Sequence, residues 1–256
     1  MLDIALICAS NDPDCLQRNL LQSDLVNHVS ELHVETGAPS AAIAYNRGLA
    51  ATQAPLVLLA HQDVYLPFNW AQHLQTALRW LNEDDPNWGV LAPFGMVNAT
   101  HRGQDYSTSL SRVVGEPVKE PLRVESVDEL PIILSRNSGI GFDEGLPDWH
   151  LYGTDIVQTA RARGIGAWVA HMPLVHNDRF HGYLGAGFGR SYRYAGRKWT
   201  CGQPIRSPVL WLHPHGRALA LYRLRALKSW MARRKRAGDT ATDPKILAAN
   251  CGWETA

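Results

Sequence analysis

Pro55-Leu56-Val57-Leu58-Leu59-Ala60-His61-Gln62-Asp63-Val64-Tyr65-Leu66-Pro67 is an apolar run that ends by presenting three polar side chains. Leu56 to Ala60 has the length and branching of a core strand in a parallel sheet, and Pro67 helps to end it. Open α/β sheets bind their ligands at such strand ends. Asp63 then offers a hard anionic oxygen on a rigid support, suited to Mg²⁺ or Mn²⁺ carrying a diphosphate. The same residues also fit a plain strand-terminating turn with an acidic tip.

The neighbouring sequence alternates in the manner of a parallel α/β sheet. Ile4–Cys8 reads as a first strand, 13–22 as a helix, 28–34 as a second strand ending at Glu35, and 40–52 as a helix before the 56–60 strand. Over 70–82, Leu74, Ala77, Leu78 and Leu81 share one face of an amphipathic helix. Strands follow at 90–94, 122–127, 132–134 and 167–170, with a helix at 156–163 and a loop or irregular hairpin over 97–123. The expected domain is 1–205, followed by a basic helix and loose tail over 206–256.

At 256 residues, 45% hydrophobic and 19% charged, the chain can bury a full core. Cys8, Cys15, Cys201 and Cys251 have no C-x-x-C spacing, which argues against a zinc ribbon or disulfide scaffold and fits a reducing cytoplasm. No run reaches the roughly 18–20 apolar residues of a membrane span. The net charge of +1 is unevenly spread. Residues 1–216 hold 16 basic against 21 acidic side chains, a poor footprint for nucleic acid, whereas 217–236 hold eight basic residues and no acidic one. There Ala220, Leu224, Leu227 and Met231 share a helical face beside Trp230, with Arg225, Lys228 and Arg233 available to anionic headgroups. That pattern fits either an interfacial helix at the inner face of a membrane or a terminal helix docked on the domain.

Rival chemistries lack their motifs. The loop after the first strand, Ser10-Asn11-Asp12-Pro13, is not the G-x-G-x-x-G of a dinucleotide site, and no histidines form H-E-x-x-H.

Ala44-Tyr45-Asn46-Arg47-Gly48-Leu49-Ala50, the HQDV stretch, Phe142-Asp143-Glu144-Gly145 running on to Thr154-Asp155 and Arg161-Ala162-Arg163-Gly164, and Pro173-Leu174-Val175-His176-Asn177 occur in an order that resembles the family 2 glycosyltransferases of GT-A fold. The resemblance covers roughly residues 3–200 and is nearest to a bacterial subgroup with HQDV in place of D-x-D. It implies a GT-A-like α/β fold, a nucleotide-sugar donor, with a UDP-sugar expected, and transfer to a glycan or lipid-linked acceptor with inversion. It also implies Mn²⁺ or Mg²⁺ held by Asp63 and His176, and donor contacts from Ser10, Glu35, Asn46, His61, Gln62 and Arg190. Asp155 becomes the expected catalytic base, and Trp149, His150 and Tyr152 the acceptor side. The bare sequence leaves Thr154 or Asp155 equally suited to capping a helix that begins near Ile156. The Gly-rich 181–190 stretch suggests either a lid over the donor or a surface loop, with Arg193, Arg197, Lys198, Tyr192, Tyr194 and Trp199 beyond it as phosphate and sugar contacts. A domain that binds nucleotide or glycan without transfer is the remaining alternative.

Overall fold

The structure is a computed structural model and describes residues 3–179, 184–201, 203–234 and 238–254, with the side chains of 226–234 outside that description. Its centre is a seven-stranded sheet. In chain order the elements of the first half are β1 (Ile4–Ala9), α1 (Pro13–Arg18), β2 (Glu31–Glu35), α2 (Ala41–Ala51), β3 (Leu56–His61), β4 (Val64–Tyr65), α3 (Trp70–Asp84) and β5 (Trp88–Ala92). Short strands β6 (Phe94–Val97), β7 (Thr100–Gly103), β8 (Asp105–Ser107), β9 (Arg112–Val114), β10 (Leu122–Arg123) and β11 (Ser126–Val127) lead to β12 (Pro131–Ser135). The second half contains α4 (Tyr152–Ala162), β13 (Gly166–Val169), β14 (Leu174–His176), α5 (Ala186–Trp199), β15 (Ile205–Arg206), β16 (Trp211–Leu212), α6 (Arg217–Arg234) and α7 (Pro244–Asn250).

The sheet order is β10-β13-β5-β12-β3-β1-β2. β1 runs parallel to β2 and β3, and β13 parallel to β5, while β12 is antiparallel to β3 and β5. Period-2 alternation divides the core. Ile4, Leu6, Leu58 and Ala60 face α3 with Leu74 and Leu81, whereas Ile7, Val57 and Leu59 face Tyr45, Ile156 and Val157 from α2 and α4. Because β12 enters the sheet in the opposite sense, the segment before it arrives at the same edge as the ends of β1 and β3.

Several local expectations change. The second strand begins at Glu31, because Asp24–His28 forms a 3-10 turn. Within 97–123 the chain takes the hairpin form of the two expected, β7 turning back on β6 and β9 on β8, and β8 also pairs with the distant β14. The 122–127 stretch divides between two sheets, β10 on β13 and β11 on β6. The Gly-rich stretch is helical from Ala186, whereas the part of the expected lid at 181–183 lies outside the described residues.

Helix α4 starts at Tyr152, with Leu151 as N-cap, so neither Thr154 nor Asp155 caps it. Asp155 lies within the first turn at 2% exposure and faces α5. Lys198 Nζ reaches its two carboxylate oxygens at 2.9 and 3.0 Å, and Trp199 Nε1 donates to Oδ1 at 2.6 Å. Lys198 also donates to Asp143 Oδ2 at 2.6 Å. This cluster clamps α5 to α4, which is a structural task.

Where a loose tail was expected, residues 243–254 include a packed helix. Asp243 caps α7, Pro244 occupies its first turn, and Leu247 and Ala248 pack on Tyr65 and Val175. Tyr65 donates to Glu254 Oε1 at 2.6 Å. In α6, Leu219 is buried against Phe188 and Tyr192, while Leu221 and Leu224 are exposed. Ala220 and Leu224 point outward, so this part of the expected apolar face is not docked on the domain; Leu227, Lys228, Trp230, Met231 and Arg233 lie outside the described side chains. No helix among the described residues is long and apolar enough to cross a membrane.

Two substitutions test this packing by urea denaturation. Leu247→Ala is expected to destabilise the chain by about 2 kcal/mol, because it empties a buried site; a loose tail would register no change. Asp155→Asn is expected to lower stability by about 1–3 kcal/mol through the weakened Lys198 contact.

Candidate functional site

The ends of β1, β2 and β3 open onto a cleft of about 540 Å³, within the range of small-ligand sites. Ala9, Ser10 and Asn11 contribute from β1, Glu35 from the end of β2, and His61, Gln62 and Asp63 from β3 and its turn. Asp128, Glu129 and Leu130 enter from the segment before β12. Trp149, His150 and Leu151 form another wall, facing Leu184, Phe188, Pro208 and Val209.

The turn after β3 is fixed from both sides. Gln62 Oε1 accepts from Ser10 Oγ at 2.7 Å and from the backbone N–H groups of Asn11 and Asp12 at 3.1 Å. Gln62 Nε2 donates to Asn11 Oδ1 at 2.9 Å. Gln62 therefore ties the β1 loop to the β3 turn, and its amide is spent on structure rather than free for a ligand. Beyond the turn, β4 pairs with β14, with His176 opposite Val64. Asn177 N donates to Asp63 O at 2.8 Å, which fixes the backbone of the acidic residue.

That pairing brings His176 Nε2 to 3.4 Å from Asp63 Oδ2, while His61 Nδ1 lies 4.0 Å from Asp63 Oδ1. One ligand atom from each of His61, Asp63 and His176 falls within 4.8 Å of the others. Burial opposes the charge on Asp63, yet the His176 charge and hydrogen bond, with His61 beyond them, hold its pKa well below the usual carboxylate range. Burial likewise opposes a charged His176, but Asp63 outweighs it and pushes the pKa up to about 10. Burial lowers the pKa of His61 and keeps it neutral.

The position of the His61 proton follows from its neighbour. Tyr152 donates its single hydroxyl hydrogen to Glu129 O at 2.9 Å. Its oxygen, 2.7 Å from His61 Nε2, is then left to accept, so Nε2 carries the hydrogen and Nδ1 presents a lone pair toward Asp63. Metal-bound histidines are commonly oriented by such a contact on the far ring nitrogen. One carboxylate and two imidazoles fit a divalent cation.

Ser10, Glu35, His61, Gln62, Asp63, Trp149, His150 and His176 thus share one cleft. Glu35 is held there by Arg47 Nη1 at 3.0 Å and His33 Nε2 at 3.3 Å; the Arg47 hydrogen bond, opposed by burial and aided by His33, keeps its carboxyl ionised below the usual range.

Four expected site residues lie elsewhere or play another part. Asp155, the expected base, is turned to Lys198 and Trp199 and is not among the residues that line the cleft. Asn46 exchanges hydrogen bonds with the Phe142 backbone, donating to its O at 2.9 Å and accepting from its N at 3.0 Å, and pins that loop instead of touching a donor. Arg190 is engaged by both oxygens of Asp148, with Nε at 2.8 Å from Oδ2, which occupies one edge of its guanidinium, and it is not among the residues that line the cleft. Tyr152 is buried beneath His61 rather than open to an acceptor. The further contacts expected of α5 are also redirected. Tyr192 is buried, Tyr194 donates to Asp143 at 2.8 Å, and Lys198 and Trp199 hold Asp155.

Sequence reasoning missed Asp128, Glu129 and Thr154, all of which line the cleft. Asp128-Glu129 repeats the signal of His61-Gln62-Asp63, a polar pair abutting an apolar strand run, but on a strand whose direction the sequence does not reveal.

No family model matches the chain. The "ATP synthase subunits region ORF 6" protein of Fuscovulum blasticum is 28% identical over 131 residues, 48% of this chain and 51% of that protein. The chain therefore spans about half the length of the curated relative it matches. Among solved structures, GalNAc-T7 with UDP, GalNAc and Mn²⁺ is similar at a TM-score of 0.53, with 11% identity, covering 80% of this chain and 52% of that one. S. aureus TarS 1-349 is similar at 0.42, with 14% identity, covering 68% and 58%. The fold of this chain is the mixed α/β GT-A fold, with a central, mainly parallel sheet and helices on its two faces.

Proposed function

We propose that the chain transfers a glycosyl group, with inversion, from a nucleoside diphosphate donor to a hydroxyl of a glycan or lipid-linked acceptor. The observation that carries this reading is the His61–Asp63–His176 cluster at the strand ends of a GT-A sheet, inside a cleft of ligand size. The GalNAc-T7 structure contains UDP and Mn²⁺, which supports a UDP-sugar donor and Mn²⁺ as the first to try. The HQDV stretch supports assignment to the family 2 type. Its substitution of His61 for an acidic residue removes one negative charge and replaces it with a neutral nitrogen donor.

The residues divide the work by chemistry. Asp63 and His176, with His61 Nδ1, would hold the cation, which when bound neutralises charge on the departing diphosphate. Ser10 and Glu35 lie where a nucleoside would rest, and an ionised Glu35 can accept from ribose hydroxyls or a base N–H. Trp149, 41% exposed at the cleft wall, offers a face on which a sugar can stack.

Thermal unfolding with nucleotides tests the reading. UDP with Mn²⁺ is expected to raise Tm, and chelator is expected to abolish the rise, since a ligand that binds the folded state stabilises it by mass action. Asp63→Asn should lose the Mn²⁺-dependent part. Tyr152→Phe removes the group that orients His61 and should weaken Mn²⁺ binding by about tenfold. A panel of nucleoside diphosphates that leaves Tm unmoved refutes a donor site, and binding without release of UDP from any UDP-sugar favours a binding domain without transfer.

A further inference from the structure

Helix α4 begins at the cleft without a side-chain cap of its own, because its N-cap is Leu151, at φ +66°. A carboxylate from another segment approaches this helix start: Gly153 N donates to Glu129 Oε1 at 3.4 Å. The approach depends on Gly153, where a Cβ would stand 2.7 Å from Val127 O and 3.2 Å from Glu129 Cγ. Glu129 is thereby anchored to the start of α4, and it lines the cleft.

The sheet ladder sets Glu129 beside the His–Asp–His cluster. Pro131 pairs with Ala60, and His61 N donates to Leu130 O at 3.2 Å, so Glu129 lies one residue further along the strand that borders His61. Neighbouring strands are about 4.8 Å apart. Thr154, 1% exposed, lines the same cleft, and its Oγ1 is the buried side-chain polar atom that has no hydrogen-bond partner among the described residues. A buried hydroxyl left unpaired in a cleft wall points to a ligand that completes it.

We infer that Glu129 and Thr154 seat the acceptor hydroxyl, and that Glu129 is the general base of the transfer. The inference rests on the glycosyl-transfer reading above. Glu129 takes the proton of the acceptor O–H, and that oxygen's electron pair forms the bond to the anomeric carbon. The bond from that carbon to the diphosphate oxygen breaks, and its pair leaves on the diphosphate. Thr154 Oγ1 hydrogen-bonds the attacking oxygen and fixes its direction. Burial, with Asp128 adding to it, pushes the Glu129 pKa well above that of an ordinary glutamate, against the opposing backbone N–H groups, which gives the carboxylate the affinity for a proton that a base requires. Asp128 also lines the cleft, but its Oδ1 accepts from Glu129 N at 2.7 Å and is turned to the backbone.

The test uses the full chain, with water as acceptor. Release of UDP from UDP-glucose, UDP-galactose and their N-acetylated forms is measured with Mn²⁺, beside the thermal shift given by UDP and Mn²⁺. Glu129→Gln is expected to reduce turnover by about a hundredfold or more while keeping the wild-type shift, and formate should restore Glu129→Ala by about tenfold, as an external base can. Thr154→Val should lower turnover by about three- to tenfold with the shift unchanged, the effect of one lost hydrogen bond. Turnover of Glu129→Gln within about threefold of wild type overturns the assignment, since a general base contributes far more. Loss of the UDP shift in that variant also overturns it, because Glu129 would then be holding the site together. A wild-type chain that releases no UDP from any of these donors overturns the transfer reading and this assignment with it, whereas an active wild type with an unaffected Glu129→Gln overturns this assignment alone.

Discussion

Asp63 stands at the floor of the cleft with its charge partly withdrawn from water, and the rest of the site is arranged around the need to answer that charge. An ionised carboxylate in such a place persists only when a cation or several hydrogen-bond donors face it. His176 supplies the cation, and it can do so because β14 pairs with β4 immediately beyond the acidic turn. The pairing and the ion pair support each other: the ladder sets the imidazole opposite the carboxylate, and the charge contact holds a strand pair of two and three residues that would be weak alone. The same carboxylate and ring, with His61, are the groups that would hold a divalent cation.

Around this centre the sheet acts as a rigid support. β1 and β3 are apolar throughout and packed on both faces, so the polar groups at their ends inherit fixed positions. Gln62 converts that rigidity into a shared geometry, since its single carbonyl oxygen accepts three donors from the β1 loop. Movement of one loop would therefore disturb both. The β1 side and the β3 side of the cleft are coupled through one amide.

The parts legible in the sequence were those with strong local causes. Ile4–Cys8 and Leu56–Ala60 are continuous apolar runs because they are buried on both faces, and that burial is what made them readable. The face formed by Leu74, Ala77, Leu78 and Leu81 is periodic for the same reason, and His61 and Asp63 stood out as polar residues ending an apolar run, whereas His176 was singled out only by the family resemblance. The bounds of the two- to four-residue strands between 94 and 127 were not readable, because runs that short show no period and β8, β10 and β11 draw on partners far along the chain. The sense of β12 was equally hidden: an apolar run has no direction, yet that direction decides whether Asp128-Glu129 or Ser135-Arg136 meets the cleft. Asp243-Pro244 did carry a helix-start signal, but seven residues give too short a period to reveal which face is buried.

The two carboxylates near the start of α4 show why residue type and motif position are insufficient to assign a role. Asp155 and Glu129 are both removed from water, and burial raises the proton affinity of both. Their neighbours then divide them. Asp155 meets Lys198 and Trp199, which occupy its lone pairs and neutralise its charge, so a proton would have to displace an ammonium. Glu129 meets backbone N–H groups at the start of α4, has no ammonium against it, and lines the cleft. A general base needs a vacant lone pair within reach of the reacting hydroxyl as well as a suitable pKa. Asp155 is adjacent in sequence to the cleft-lining Thr154, but a helix turns about 100° per residue, and that single step carries its side chain from the cleft to the α5 interface.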